Sequence, residues 1–431
     1  MSSLDNMPIN NVLSEEYKLT TEPVVLDNAT EYEWNEIQSD TLNQPQGTNW
    51  RLQLKNISQY CNPAKAYLEI KVRLTDANDV NLAAGANASI QNHILSLFSR
   101  ATLRVGGQLV ESVNECHIAK GLVQPLLHYS QDYASSSGTN ELFYKEGPGF
   151  GTEKLPFDGD DYRAAYNSGH RHRYDRTNDK EVTAWVPLSS LFGFCTVDRV
   201  LVNNTFIIEL VKSAQKDHVL SAAGTEKVAI NKVSVWMPQI QAKPTVDLAI
   251  KTAMADGVAS NYMFPHFQSY SILGVNGNNN LKIVTSSEKV LYAFVVARSA
   301  ARTATGSAAQ TLDNVQTLEL RLNGRAYPSQ NYVNLKGTTE DKARAYADLM
   351  RYMSRGYDYS SGIPLSYEEW EKTTIYAFDM TSQPEAIGMS SPATVELKSV
   401  TDAQVEWSVC VLSEKRVQVN YQGSSAVVLV N

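Results

Sequence analysis

The sequence is short of every feature that would assign it a chemistry. Its four cysteines, Cys61, Cys116, Cys195 and Cys410, lie far apart and never form a Cys-x-x-Cys pair. That spacing suits reduced, buried thiols of an intracellular protein better than a disulfide framework or a zinc site. The Asn-x-Ser/Thr triplets at Asn28, Asn56, Asn87 and Asn203 therefore carry little weight as glycan sites. No uninterrupted apolar run approaches a membrane span, and MSSLDNMPINN has neither the basic start nor the apolar stretch of a signal peptide. The expectation is a chain that is neither exported by that signal nor threaded through a bilayer. No His-Glu-x-x-His, Gly-x-Ser-x-Gly or Gly-x-x-x-x-Gly-Lys motif occurs. The nearest approach is Gly147-Pro148-Gly149-Phe150-Gly151. A phosphate cradle needs a helix N-terminus next, whereas Pro156 and Gly159 follow, so a surface loop is expected. Asp158, Asp160 and Asp161 lack the spacing of a helix-loop-helix calcium site and read as a solvated turn, with weak cation binding as the alternative. A net charge of −8 argues against a surface that grips nucleic acid all round.

What is present is core and alternation. With 43% hydrophobic and 19% charged residues, a chain of 431 can bury the cores of two to three soluble globular domains. Apolar side chains recur with period two at Leu68-Ile70-Val72-Leu74, Phe206-Ile208-Leu210, Val233-Val235-Met237, Leu318-Leu320-Leu322, Val405-Trp407-Val409-Val411 and Val417-Val419-Tyr421. Half-buried strands have that pattern, and each must bury its apolar side against a second sheet. Many short strands broken by Gly, Asn and Ser turns indicate sandwiches or barrels.

Two stretches about half a chain apart repeat. Leu103-Arg104-Val105-Gly106-Gly107 matches Leu320-Arg321-Leu322-Asn323-Gly324, and DYASSSG at 132–138 matches DYSSG at 358–362, in the same order and at similar spacing. Internal repetition of this kind implies one fold written twice. Gly106-Gly107 and Asn323-Gly324 are structural turns that need positive φ. Thr339 is positioned to cap a helix with Tyr346, Leu349, Met350 and Met353 on one stripe, and Glu115 to Leu127 is its weaker counterpart, interrupted by Gly121 and Pro125. Pro244 and Gly257 bracket a short linker helix. The expected organisation is an N-terminal arm at 1–48, ordered only on contact with neighbours, and a first sandwich at 49–243. A linker helix at 244–262, a second sandwich at 263–423 and a tail at 424–431 complete it.

Two local clusters invite functional readings. His170-Arg171-His172-Arg173-Tyr174 is the sharpest concentration of charge. His170 and His172 share a face if the segment is a strand, but no third metal ligand is identifiable. Arg171 and Arg173 suit contact with an acidic neighbour or with nucleic-acid phosphates, and the plain alternative is a solvated loop. Tyr129, Tyr133, Tyr352, Tyr357 and Tyr359 flank the segments after the helices. They read either as contacts between subunits, Tyr133 and Tyr359 foremost, or as covers for the ends of their own sandwiches.

The run NHILSLFSRATLRVGGQLVES at 92–112 resembles the hallmark segment of the double jelly-roll major capsid proteins of the polinton, adintovirus and virophage-like group, distant relatives of adenovirus hexon. The resemblance continues through AWVPLSSLFGF at 184–194, VLVNNTFIIELV at 200–211, LELRLNGRAYPSQNY at 318–332 and TTIYAFDMTSQPE at 373–385, covering most of residues 50 to 421. It implies an all-β chain of two eight-stranded jelly rolls in tandem with a few short helices. It further implies a structural protein of the virion with no cofactor, assembling as a homotrimer that meets neighbouring capsomers, penton and minor capsid proteins. Genomic DNA contact would be weak, and an internal membrane is left open. A two-sandwich carbohydrate-binding or carbohydrate-active protein and a viral spike or receptor-binding protein are the alternatives. For the former, Glu368 and Glu369 before Trp370 are the suggestive carboxylates, although neighbours on a strand would point to opposite faces.

Overall fold

Antiparallel pairing of alternating strands builds both halves. The computed structural model describes residues 29–40, 47–54, 60–82, 88–145, 168–177, 180–202, 204–221, 224–257, 259–285, 289–303, 314–336, 342–353, 365–381, 393–422 and 425–430. In the first half the strands are β1 (Ala29–Gln38), β2 (Asn49–Leu54), β3 (Tyr60–Cys61), β4 (Tyr67–Thr75), β5 (Ala88–Ile90) and β6 (Phe98–Val105). They continue with β7 (Gln108–Asn114), β8 (Glu181–Pro187), β9 (Phe206–Lys212), β10 (Val219–Ser221) and β11 (Lys227–Ala242). The second half has β12 (Ala259–Leu273), β13 (Gly277–Val284), β14 (Lys289–Ser299), β15 (Val315–Leu322) and β16 (Arg325–Tyr332). It ends with β17 (Ile375–Asp379), β18 (Thr394–Thr401), β19 (Val405–Gln422) and β20 (Ser425–Val430).

The first half has sheets ordered β1-β11-β4-β8 and β2-β9-β6-β7, with β3 added to β11 and β5 paired to β10. The second has β12-β19-β14-β17 and β13-β18-β15-β16, with β20 added to β19. Numbering the principal strands of each half from its own start, both halves have the orders 1-8-3-6 and 2-7-4-5. That shared order is the jelly roll, and the chain is a double jelly roll. The repeated turns fall at the same topological point, between principal strands four and five. Gly106 and Gly107 have φ of 58° and 83°, and Asn323 and Gly324 have 50° and 85°. Left-handed backbone at both central positions matches the twist of the flanking strands.

Alternation delivers the cores: Leu68, Ile70, Val72 and Leu74 are buried facing Leu52-side strands, and Val405, Trp407, Val409 and Val411 are wholly enclosed. Glu69 lies on the outward face as its parity requires, yet it too is buried. Its carboxylate accepts from Lys232 Nζ at 2.8 Å, Ser234 Oγ at 2.9 Å and Trp236 Nε1 at 2.8 Å, which offsets the desolvation.

Five expectations need correction. Residues 29–38 are not part of an arm. They form β1, the first principal strand, paired to β11 from Ala29↔Ala242 to Gln38↔Ser234 and burying Ile37. The tail at 424–431 is likewise structural: β20 pairs with β19, and Val428 Cγ2 lies 2.9 Å from where a Cβ on Gly106 would stand, so it closes over the first half's turn. The linker helix spans Pro244–Ala255, and Gly257 (φ 77°) turns the chain into β12 at Ala259, earlier than the expected boundary of 262. The basic segment is a helix, Ser168–Thr177, rather than a strand or loop. Glu368 and Glu369 also lie on a helix, Tyr367–Lys372. There Glu369 completes a capping box with Ser366 and pairs with Lys145 Nζ at 3.0 Å, which commits it to structure.

Because β1 supplies a full strand of ladder, truncation of residues 1–45 is expected to abolish cooperative folding of the first sandwich. Circular dichroism and denaturant titration of the truncated chain check this, and a wild-type unfolding midpoint would contradict the assignment.

Candidate functional site: the junction of the two sandwiches

Charged and aromatic side chains of the two halves converge at one buried junction, which fixes one sandwich against the other. Its first component is Glu111, on β7 and fully buried. The Oε1 atom accepts from the Gly193 amide at 3.0 Å and Oε2 from the Phe194 amide at 3.1 Å. From the second half, His266 Nδ1 on β12 reaches Oε1 at 3.1 Å. Burial pushes this carboxyl up, but the His266 contact, the Lys120 charge and the Phe194 amide outweigh it and hold it below its ordinary value. Lys120 is buried beside it, pulled down by desolvation against the Glu111 charge, with its Nζ 5.0 Å from the Phe267 ring centroid of β12. Gly193 makes the approach possible. A Cβ there would stand 1.9 Å from the Pro265 carbonyl oxygen, so only glycine fits.

The second component is ionic. Asp217, in the short helix Gln215–His218 of the first half, faces two arginines of the second. Arg298 Nη1 is 3.6 Å from Asp217 Oδ1, its Nη2 is 3.6 Å from Glu406 Oε1, and Arg302 also pairs with both acids. His117 Nε2 lies 3.3 Å from Glu115 and 3.6 Å from Asp217. Arg298 is wholly buried, and burial with the neighbouring Arg302 charge brings it down to about 10. Burial pushes the Glu115 carboxyl up, against a hydrogen bond from Ser271 of β12. Aromatic contacts complete the seam: Phe194 stacks on Tyr262 at 4.7 Å, and His128 packs against Phe267 and Tyr352. Arg199 Nη1 donates to the Asn261 carbonyl at 2.7 Å.

Of the residues singled out beforehand as subunit contacts, Tyr352 lies in this seam against His128, whereas Arg173 and Tyr133 do not. Arg173 is buried within the first half, its Nε donating to the Ile90 carbonyl at 2.9 Å and its Nη1 to that of Tyr144 at 3.1 Å, so it cannot reach a neighbouring subunit or a phosphate. Tyr133 is half-buried and donates to Glu141, whose Oε2 also takes Tyr129 OH and lies 2.7 Å from His93 Nε2. Tyr352 packs on Tyr292 and Phe294 at 4.5 and 4.8 Å. Tyr357, Tyr359, the 147–151 loop and the aspartates at 158–161 lie outside the described residues, as do the side chains of His170 and Arg171. Among the described residues no group of three His, Cys, Asp or Glu side chains is arranged to hold a metal. All four cysteines are free and buried, with burial pushing the Cys61, Cys116 and Cys410 thiols up to about 12.

Two predictions follow from this packing. Gly193→Ala should cost about 3 kcal/mol or more, at the upper end of overpacking, and uncouple the halves. Urea unfolding would then shift to a lower midpoint or split in two, whereas an unchanged curve would place the contact elsewhere. The second concerns pH. Burial, then the charges of Arg298, Arg302 and Lys216, holds His117 well below 6.5, and burial with Lys212 brings His218 down to about 3. Unfolding restores ordinary imidazoles, so the unfolded chain binds more protons over that interval. Stability is therefore fully present above about pH 6.5 and falls as pH drops toward 3, with about two protons taken up on unfolding. Protonation of Glu111, held low when folded, adds a loss below about pH 4.3. Denaturant midpoints across pH 7.5 to 3.5 test the sign, and a flat profile would refute it.

No family model matches the chain. No curated protein sequence matches it either. Solved structures do. A chain in the cryo-EM structure of the Sputnik virophage has a TM-score of 0.60 at 9% identity, covering 97% of this chain and 92% of that one. The PBCV-1 virus capsid gives 0.54 at 10% identity over 96% and 99%. The mavirus major capsid protein gives 0.51 at 10% over 100% and 96%. At such identities the likeness is one of fold, and the double jelly roll read from the strand orders is the fold this chain has in common with them.

Proposed function

We propose that the protein is the major capsid protein of a double-stranded DNA virus or virus-like element, forming pseudo-hexameric homotrimers that tile an icosahedral shell. The observation that carries this reading is the pair of identical strand orders locked side by side by a buried junction. Two similar sandwiches per chain, taken three times, present six similar corners with only true three-fold symmetry, and six-cornered blocks pack into a closed sheet. Each step of that geometry depends on the halves holding one fixed angle. The solved virion proteins of like fold support the same reading. On it the chain resides in the virion, is not an enzyme and needs no cofactor. Its partners are its own copies, neighbouring capsomers, and penton and minor capsid proteins. Any contact with genomic DNA is weak, as the net charge of −8 favours repulsion.

Purified protein is expected to scatter light as three copies of the 47.7 kDa chain and to show three-fold blocks of hexagonal outline in negative stain. A strict monomer at all concentrations would overturn the proposal.

A further inference from the structure

Within the chain, one sandwich already covers a sheet face of the other. Along β19, Trp407, Val409 and Val411 point into the core of the second sandwich, and Ser408, Cys410 and Leu412 point the other way. These outward residues are nevertheless buried. They share their face with Phe267, Ser269 and Ser271 of β12 and with Phe294, Val296 and Arg298 of β14, by the register of the three strands. The first half covers much of that face, with Lys120 and His128 over Phe267, Asp217 against Arg298 and Glu115 bonded to Ser271, while Tyr352 of the second half packs on Phe294. In topological terms, the connection after β7 of one sandwich, joined by Asp217 from the connection after β9, lies on the outer face of the 1-8-3-6 sheet of the other.

The first sandwich has the same face, on β1-β11-β4-β8, and there the covering is incomplete. Leu68, Ile70, Val233, Val235, Ala184 and Val186 point inward and are buried. The opposite parity carries Trp34 on β1, Trp236 on β11, Tyr67 on β4 and Trp185 on β8. These rings form one contiguous aromatic row by contact on the sheet face, with centroids 6.1 Å apart for Trp34 and Tyr67, 6.3 Å for Tyr67 and Trp185, and 5.6 Å where Trp185 turns back to Trp236. Trp34 keeps 45% and Tyr67 38% of its surface exposed. Lys232 borders the row, bridging Glu36 and Glu69. Large aromatics bordered by paired charges are the composition of an interface centre and its rim, not of a solvated sheet face.

We propose that this aromatic row docks the second sandwich of another copy of the same chain, repeating between chains the contact already made within one. The inference rests on the capsomer reading and names the surface that reading requires. A head-to-tail contact between unlike halves closes into a ring when the rotation permits, and three chains then use three internal and three external copies of one arrangement. The approaching element is the counterpart connection, between β16 and β17. Its helix Ala343–Tyr352 buries Ala345, Leu349 and Met350 and turns Ala343, Ala347 and Arg351 outward.

The test is sedimentation of wild-type protein beside Trp34→Glu and Tyr67→Glu, with Leu109→Glu, at an exposed site on β7, as control. Wild-type and control trimers with folded, monomeric Trp34 and Tyr67 variants support the inference. Trimers in all four proteins overturn it and leave the capsomer reading standing, whereas a monomeric wild type removes both. If the variants fail to fold, hydroxyl-radical footprinting of the wild-type trimer decides. Protection of Trp34 and Tyr67 with continued labelling of the exposed Met263 supports the docking surface, and equal labelling of all three refutes it.

Discussion

A buried carboxylate held from both sides is the constraint on which the rest of the molecule depends. Glu111 has its two oxygens satisfied by amides of its own half and by a histidine of the other. Remove or displace either set and a buried charge is left unpaired, at a cost on the order of 3–5 kcal/mol. The same logic governs Asp217 between Arg298 and Arg302. Apolar contact alone tolerates sliding, because its energy follows area and has no direction. Ions with fixed partners do not, so these two clusters select one register from the many that Phe267, Phe194 and Tyr262 would accept.

A double jelly roll stiffened in this way differs from two sandwiches on a tether. Domain interfaces of modest size ordinarily permit relative motion. Here three connections oppose it at separate points: the Glu111 cluster, the Asp217 cluster, and β20, an added strand of the second sandwich whose Val428 closes over Gly106 of the first. The linker helix adds a fourth, as Tyr60 OH donates to Asp247 Oδ1 at 2.9 Å. A hinge needs its restraints to lie along one line. These attachments involve β7, a loop helix, β20 and the linker, so bending at any one strains the others.

The fold was legible in the sequence wherever one physical requirement fixed each residue. Alternation at Leu68 to Leu74 and Val405 to Val411 announced sheets with one buried face, and the paired Gly-containing turns announced the duplication, since few residues adopt left-handed backbone cheaply. β1 escaped notice because ATEYEWNEIQ has no apolar stripe. It is an edge strand, held by its ladder to β11 more than by burial, and polar side chains suffice there. β20 escaped as a short terminal run whose partner strand lies just before it. The basic segment at 168–177 misled because charge was equated with exposure. Arg173 instead spends its guanidinium on two backbone carbonyls, a use that is invisible without the fold.

The junction was illegible for a deeper reason. Its charges find partners across the duplication, as Asp217 does with Arg298 and Glu111 with His266, and no local pattern encodes such pairs. One trace existed. Arg298 ends the apolar run VLYAFVVA, and a cation placed at the end of a buried strand must be neutralised by partners distant in sequence, here Glu406 of its own sandwich and Asp217 of the other. The first sandwich shows what the same sheet face looks like without that partner. Where β14 and β19 carry a buried arginine with Ser408 and Cys410 under residues of the other half, β4, β8 and β11 carry broad aromatic rings and surface-paired charges. The duplicated faces have thus diverged along the line expected if one folds against its cover and the other must remain soluble until its cover arrives. Permanent burial favours ions that are satisfied in place. A face that passes through water first favours Trp and Tyr, which tolerate hydration at their polar edges and still contribute large apolar area on contact.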